Sequence, residues 1–154
     1  MADLDSFIQN RSMEWLIHYA LAFVKTPYRF GGNYPPTGLD CSGLVCEILK
    51  AGGAIGNKED LSAQQLFNRF QDTGRWNAYS PGTLVFYGES TAKITHVAWM
   101  IGSGMVIEAG GGLSTTVTRE DAEKQNAFVR VRQWNYRRDF VAIIRPTYPM
   151  IGSP

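Results

Sequence analysis

The stretch Tyr28–Gly53, "YRFGGNYPPTGLDCSGLVCEILKAGG", passes from a loop rich in glycine and proline directly into an apolar run. Asp40 is a favourable helix N-cap and the glycines at 52 and 53 are favourable C-terminal residues, so a helix is predicted from Cys41 to Lys50. Cys41 is then the first helical residue, where unpaired backbone N–H groups and the helix dipole stabilise an anion. The sequence therefore predicts a thiol at a position that favours its thiolate form.

Cys41 has two interpretations at this point. A cysteine beside an apolar helix face can be a small buried hydrophobe, and Cys46 within "LVCEIL" fits that description. Alternatively, Cys41 is a nucleophile, and the N–H groups at the same helix end hold the oxyanion of an attacked carbonyl. The two cysteines lie on one helix with diverging side chains, which excludes a disulfide between them, so both are predicted to be thiols.

A candidate base lies on a predicted hairpin, "ITHVAWMIGSGMVIEAGGG", at positions 94–112. A three-residue loop at 101–103 would pair residue 100 with 104, 98 with 106, and His96 with Glu108. Side chains that face each other in this way are roughly 5 Å apart, so Glu108 could orient the His96 imidazole. Strand alternation puts residues 96, 98 and 100 on one face and residues 97, 99 and 101 on the other. The alternative is an ordinary cross-strand polar pair, which a register shift of one residue would remove.

The order of the predicted elements indicates the fold class. Apolar residues from Met13 to Val24 follow helical spacing, and Pro27 ends that helix. Ser62 and Gln65 have the spacing of a capping box, which opens a third helix through about residue 70. Five β-rich runs follow, and they begin at Thr83, Ile94, Met105, Phe128 and Phe140. Helices followed by strands predict an α+β domain in which N-terminal helices pack on an antiparallel sheet.

Composition limits the function classes that the chain can belong to. The chain has 154 residues, 44% of them hydrophobic, and a formal net charge of +1. One domain over residues 1–154 is the expectation for this length. A nearly neutral chain without a basic cluster lacks the electrostatic attraction on which nucleic-acid binding depends, so no nucleic-acid partner is expected.

Neither a targeting segment nor a metal site is expected. Asp3 and Asp5 stand where a signal peptide carries positive charge, and His18 interrupts the longest apolar stretch near the N-terminus. We therefore expect no signal peptide and no membrane span. Two histidines and two cysteines without metal-ligand spacing make a poor zinc set, so no metal and no cofactor are expected.

Three segments together resemble a known family: "PYRFGGNYPPTGLDCSGLV", "PGTLVFYG" and "ITHVAWMIGSGMVIEA". They are similar to the NlpC-type (NlpC/P60) papain-like cysteine peptidases of bacterial cell walls. The anchors are Tyr28 before a double glycine, the "DCSG" element, and a histidine that opens a downstream strand. Residues 108–132 and 137–146 are also similar to the members of this family that occur in phages and prophages.

The resemblance implies a papain-like fold, with the nucleophile at a helix N-terminus, that hydrolyses peptide bonds in peptidoglycan stem peptides. The typical bond joins D-glutamate to a diamino acid. Cys41 matches the nucleophile and His96 the general base. Many members carry His, Asn or Gln as the third polar residue, whereas this chain has Glu108, whose carboxylate would orient the Nδ1–H group of His96.

The resemblance also implies binding residues, partners and location. Tyr28 matches a tyrosine whose hydroxyl lies near the nucleophile, and Asp40 and Ser42 match positions at the substrate groove. The implied partners are peptidoglycan stem peptides and, for a phage member, phage tail proteins. Such a protein would be part of a phage virion or made in the host cytoplasm, and would act on the cell wall.

Two other functions remain open from the sequence. One is a phage tail structural or binding module that keeps the fold without the chemistry. The other is an amidase or acyltransferase that uses the same cysteine and histidine on a different amide or ester. The reactivity of the Cys41 thiol separates the first from an enzyme, because the thiol of an inactive module should alkylate no faster than an ordinary exposed cysteine.

Overall fold

Helices and strands alternate in blocks along the part of the chain that the structure describes. A computed structural model describes residues 2–149 and 151, with side chains at all of these except positions 2, 3, 5–7, 9 and 10. Its elements are, in order, α1 (Ala2–Leu21), β1 (Asn33–Tyr34), β2 (Gly38–Leu39), α2 (Cys41–Ala51), α3 (Ala63–Phe70), β3 (Arg75–Trp76), β4 (Leu84–Ser90), β5 (Lys93–Gly102), β6 (Met105–Gly110), α4 (Arg119–Gln125), β7 (Phe128–Gln133) and β8 (Phe140–Arg145).

Six of the strands form one antiparallel sheet in the order β3-β8-β4-β5-β6-β7. β1 and β2 pair separately as a short antiparallel ribbon before α2. The three N-terminal helices pack on the sheet through a core that includes Leu16, Leu44, Phe67 and Trp99, each at most 1% exposed. The predicted α+β class, with N-terminal helices on an antiparallel sheet, is confirmed.

A smaller apolar cluster lies on the face of the sheet opposite to the main core. It includes Ala98 and Met100 of β5, and Trp134 and Tyr136 pack against it from the segment after β7. Val97 and Trp99 belong to the main core instead. The predicted alternation of β5 is therefore confirmed, and the segment that follows β7 has a definite packing role.

The local signals around α2 and α3 are confirmed. Asp40 is extended and caps α2, since its side chain accepts a hydrogen bond from the Gly43 N–H at 2.7 Å. Gly52 is the C-cap and Gly53 has a φ of 76°, a conformation that favours glycine. The predicted capping box at the start of α3 is present, with reciprocal side-chain and backbone bonds.

The first and last helices differ from the prediction. α1 ends at Leu21 rather than Val24, because residues 22–25 form turns and Lys25 has a φ of 74°. α4 was not predicted, although Thr118 and Asp121 form a capping box that marks its start. No helix in the described part of the chain is long and apolar enough to cross a membrane.

The predicted pairing of the β5–β6 hairpin is wrong by two residues. Met100 pairs with Val106, not with residue 104. The loop has two residues instead of three, Ser103 and Gly104, whose φ values of 52° and 73° match the tight turns that hairpins favour. A register irregularity between Met100 and Gly102 takes up the remaining residue.

This shift makes the contact between His96 and Glu108 diagonal rather than direct. Trp99 pairs with Ile107, so the same register continued puts Glu108 opposite Ala98. A shift of two residues leaves every side chain on its original face, because strand side chains alternate with a period of two. Diagonal neighbours remain within reach of long side chains, so the two groups can still meet.

Candidate active site

Cys41 is the first residue of α2 and opens onto a cleft of about 410 Å³. The cleft is also lined by Tyr28, His96, Glu108, Arg132 and Tyr136. The Asp40 carboxylate accepts the hydrogen bond of the Gly43 N–H. Helix geometry leaves the N–H groups of Cys41 and Ser42 without intrahelical partners. These N–H groups face the helix start, where they can stabilise negative charge on the thiol or on a bound carbonyl.

Cys46, one turn further along α2, has a different environment. It is buried, and its thiol donates to the Leu61 carbonyl oxygen at 3.4 Å. Burial raises the pKa of the Cys46 thiol to about 11, so it stays protonated at neutral pH. Both cysteines are free thiols, as predicted, but only Cys41 faces the cleft.

His96 of β5 lies between Cys41 and Glu108. The ring is nearly buried, lines the cleft together with Cys41, and has its Nε2 atom 3.2 Å from Oε2 of Glu108. Burial acts to lower the pKa of His96, but the negative charges of Cys41 and Glu108 outweigh it and raise the pKa to about 9. The expected contact between Glu108 and Nδ1–H is wrong, because the ring turns Nε2 toward the carboxylate.

Glu108 of β6 is a buried carboxylate shared by two cations. Its side chain is 1% exposed, with Oε2 near His96 and Oε1 at 3.3 Å from Nε of Arg132. Oε2 accepts no well-aligned hydrogen bond from the described residues, so its attraction to the imidazole is mainly electrostatic. A Cβ at Gly110 would collide with this carboxylate, which explains the glycine at that position.

Tyr136 and Arg132 belong to the site but were not predicted from the sequence. The Tyr136 hydroxyl hydrogen-bonds with Nε2 of His96 at 3.1 Å, and the Arg132 guanidinium lies 4.7 Å from the centre of the Tyr136 ring. Burial and the nearby Glu108 charge raise the pKa of Tyr136, which keeps its hydroxyl protonated. The alternation in "FVRVRQW" marks Arg132 as a strand residue, but nothing in that pattern relates it to Glu108.

The three predicted binding residues are divided between two depressions. Tyr28 lines the cleft and packs against Gly112, while Asp40 and Ser42 line a separate depression of about 250 Å³ together with Asp60. Tyr28 is thus close to the candidate triad. Burial, and then the charges of Cys41 and Asp40, raise the pKa of the Tyr28 hydroxyl, so it remains a donor at neutral pH.

Asp40 has a structural task as well as a place in that depression. Its carboxylate accepts hydrogen bonds from the Gly31 N–H at 3.1 Å and the Ser42 hydroxyl at 3.3 Å, in addition to the cap bond. Burial raises the pKa of the carboxyl, although these three donors oppose the shift. Asp40 therefore ties the loop before α2 to the start of the helix.

A helix-start thiol beside a buried, charged imidazole is the arrangement that cysteine-dependent acyl transfer requires. The structure thus shows an α+β fold in which a helix-start thiol and a buried imidazole line the same cleft. Residues 25–133 match the model of the NlpC/P60 family. The chain belongs to that family.

Two curated proteins of Bacillus subtilis (strain 168) are similar to part of the chain. Gamma-DL-glutamyl hydrolase is 29% identical over 104 residues, which cover 67% of this chain and 24% of that protein. The bifunctional muramidase/DL-endopeptidase CwlT is 35% identical over 99 residues, which cover 62% of this chain and 29% of that protein. The chain therefore spans about a quarter of the length of these relatives.

Solved structures share the fold at low sequence identity. RipD of Mycobacterium tuberculosis, a non-catalytic NlpC/p60 domain protein adapted to peptidoglycan binding, superimposes with a TM-score of 0.60 at 19% identity. The match covers 87% of this chain and 96% of that one. The family therefore includes members with the same fold and without catalysis.

Proposed function

We propose that the protein hydrolyses peptide bonds in peptidoglycan stem peptides, with Cys41 as nucleophile, His96 as general acid and base, and Glu108 as the residue that stabilises the imidazolium. The observation that carries the proposal is that Cys41, His96 and Glu108 line one cleft, with Nε2 of the buried His96 ring 3.2 Å from Oε2 of Glu108. A histidine whose pKa is raised to about 9 is protonated at neutral pH and pairs with a thiolate.

The reaction has two steps. The Cys41 thiolate attacks the carbonyl carbon of the stem peptide, and the resulting oxyanion is held by N–H groups at the start of α2. The C–N bond breaks, the amine leaves with a proton from His96, and a thioester remains on Cys41. Neutral His96 then takes a proton from water, the hydroxide attacks the thioester, and the carboxylic acid and the thiol are released.

The names of the relatives support the type of bond. One relative is a gamma-DL-glutamyl hydrolase and another a DL-endopeptidase, so the bond from D-glutamate to a diamino acid is the preferred candidate here. The polar surroundings agree with a peptide that carries several charges. Asp40 and Asp60 line one depression, while Arg132 and Arg137 line the cleft.

The test is incubation of the protein with purified muropeptides of defined stem sequence, followed by mass spectrometry of the products. Cleavage between D-glutamate and the diamino acid is expected, and none is expected after alkylation of Cys41 with iodoacetamide. Poly-γ-glutamate serves as a second substrate, because it carries γ-glutamyl bonds without a diamino acid. The absence of any product from muropeptides would refute the proposal.

A second candidate function is peptidoglycan binding without hydrolysis, which the similarity to RipD favours. Binding alone does not require a reactive thiol, whereas hydrolysis does. The rate of alkylation of Cys41 at pH 6 separates the two functions. A rate no higher than that of an exposed cysteine in an unfolded peptide, together with retention on peptidoglycan, would favour the binding module.

A further inference from the structure

Four side chains behind the nucleophile form a closed cycle of contacts. Nε2 of His96 is 3.2 Å from Oε2 of Glu108, and Oε1 of Glu108 is 3.3 Å from Nε of Arg132. The Arg132 guanidinium lies over the Tyr136 ring, and the Tyr136 hydroxyl returns to Nε2 of His96 at 3.1 Å. The four residues come from β5, β6, β7 and the segment after β7, so the cycle joins elements that the chain brings together only on folding.

The cycle leaves Glu108 with two cationic neighbours. A buried carboxylate that faced only the imidazolium would hold it strongly and would be free to rotate about its remaining torsions. Arg132 binds the second oxygen and so restricts the carboxylate. The positive charge of Arg132 also disfavours protonation of the His96 ring.

Other charged or titratable groups also face His96, and they come from every element packed around the ring. They are Cys41 at the start of α2, Tyr87 of β4, Glu108 of β6, Arg132 of β7, and Tyr136, Arg137 and Asp139 after β7. Arg137 is held by Asp139 through two hydrogen bonds of 2.8 and 2.7 Å. Of these two arginines, Arg132 is therefore the one that forms an ion pair with Glu108, the carboxylate beside the imidazole.

We propose that Arg132 is a positioning residue for His96: it holds Glu108 through Oε1 and shares the carboxylate's charge, so that Glu108 orients the ring without binding the imidazolium too tightly. The inference rests on the proposed function in one respect, the use of His96 as acid and base. It adds a residue that neither the sequence pattern nor the resemblance identified.

The test compares Arg132→Gln, which removes the charge, with Arg132→Lys, which keeps it, and with Arg138→Gln as a control. Arg138 is exposed and loses the same charge away from the cycle. The first readout is the rate of Cys41 alkylation as a function of pH, followed by peptide mass. The second is the NMR titration of His96, which is simple because His18 is the only other histidine in the sequence.

Arg132→Gln should raise the pH at which the His96 imidazolium loses its proton, called the alkaline limb here, by about half a pH unit or more in both profiles. The reason is that the carboxylate then acts on the imidazolium alone. It should also lower kcat on muropeptides by about tenfold through loss of orientation. Arg132→Lys and Arg138→Gln should keep the limb of the parent protein. An alkaline limb that stays in place or moves down in Arg132→Gln would overturn the proposal.

Two further outcomes are informative. A higher KM with an unmoved limb would mean that Arg132 binds substrate, which also overturns the proposal. If Arg132→Gln does not fold, the same change in a Glu108→Gln background leaves no buried carboxylate unpaired. The alkaline limb of that double variant should match the limb of Glu108→Gln alone, because Arg132 acts through the carboxylate. A further upward shift of about half a pH unit or more would refute the inference. Neither readout on the thiol or the ring requires a substrate, so a shifted limb without muropeptide cleavage would refute the proposed function alone.

Discussion

The start of α2 and the part of the sheet that carries His96 contribute to one site in different ways. At the start of α2, the cap, the cysteine and the donor groups lie within four residues, from Asp40 to Gly43. In the sheet, the candidate base depends on residues from three strands and the segment after them, up to 40 positions apart. One half of the site is local in the sequence and the other half is made by tertiary structure.

This difference determines how each half can be disturbed. A local arrangement such as the α2 cap persists as long as the helix forms, and single substitutions change it predictably. The environment of His96 depends on strand register, on a two-residue turn and on the packing of Tyr136. Substitutions there should change the chemistry of the ring while leaving the fold in place.

The largest expected effect comes from comparing the two cysteines of α2. Cys41→Ala and Cys41→Ser should lower muropeptide hydrolysis by more than about 10³-fold, because the nucleophile is removed. Cys46→Ala should retain most of the activity, since Cys46 is buried and faces away from the cleft. Rates from product mass spectrometry measure both, and circular dichroism checks that the variants fold. Cleavage that survives in Cys41→Ala would show that another group attacks the carbonyl.

Glu108 should give the next largest effect. Glu108→Ala removes the partner of His96 and should lower kcat by about 10- to 100-fold, while Glu108→Gln should retain more activity because it keeps the size of the side chain and a polar oxygen beside Nε2. Loss of the negative charge should lower the pKa of the imidazolium below about 9 and move the alkaline limb down. This direction is opposite to the one expected for Arg132→Gln.

Profiles of kcat/KM against pH for the two Glu108 variants measure these changes. Arg138→Gln is again a suitable control, because it alters a charge that is exposed. Profiles of both Glu108 variants that coincide with the parent would remove Glu108 from the site, and Tyr136 would be the next candidate partner of Nε2.

Most of the fold could be predicted because its signals are local. The caps Asp40 and Ser62 locate α2 and α3, and the five apolar runs locate the main strands within a few residues. α4 was missed although Thr118 and Asp121 form a capping box, because its short sequence has little apolar periodicity. β1, β2 and β3 contain only two residues each, too few for an alternation to be visible.

The site residues that could be predicted lie at the start of α2 and on the β5–β6 hairpin, where the sequence signals are local. Cys41, His96 and Glu108 were predicted as site residues and line one cleft, and the two-residue error in register left the last two on the same face. Arg132 and Tyr136 could not be identified, because their contacts depend on the pairing of β6 with β7 and on the turn after β7. A single sequence contains no local signal for the register between strands separated by a helix.

The pH dependence of the parent protein tests whether the two halves act as a pair. The imidazolium must be present to stabilise the thiolate and to protonate the leaving amine, so activity should fall about tenfold per pH unit as the pH rises above about 9, the pKa of His96. The acidic limb should mark formation of the thiolate–imidazolium pair. Alkylation of Cys41 that follows the titration of a free thiol, without a plateau at lower pH, would contradict this pairing.

The smallest expected effect compares two helix caps, one at the site and one away from it. Asp40→Ala and Ser62→Ala each remove an N-cap and should each cost about 1 kcal/mol of stability, with the larger loss for Asp40 because it also binds Gly31 and Ser42. For a chain of this size, the melting temperature should fall by about 2–4 °C per kcal/mol. Only Asp40→Ala should also slow the alkylation of Cys41, since it loosens the start of α2. Asp40→Asn should restore only part of the stability, because its amide oxygen can cap α2 but its NH2 group cannot accept from the Gly31 N–H. Equal effects of Asp40→Ala and Ser62→Ala on the thiol would mean that the cap contributes to the fold of α2 and not to the reactivity of Cys41.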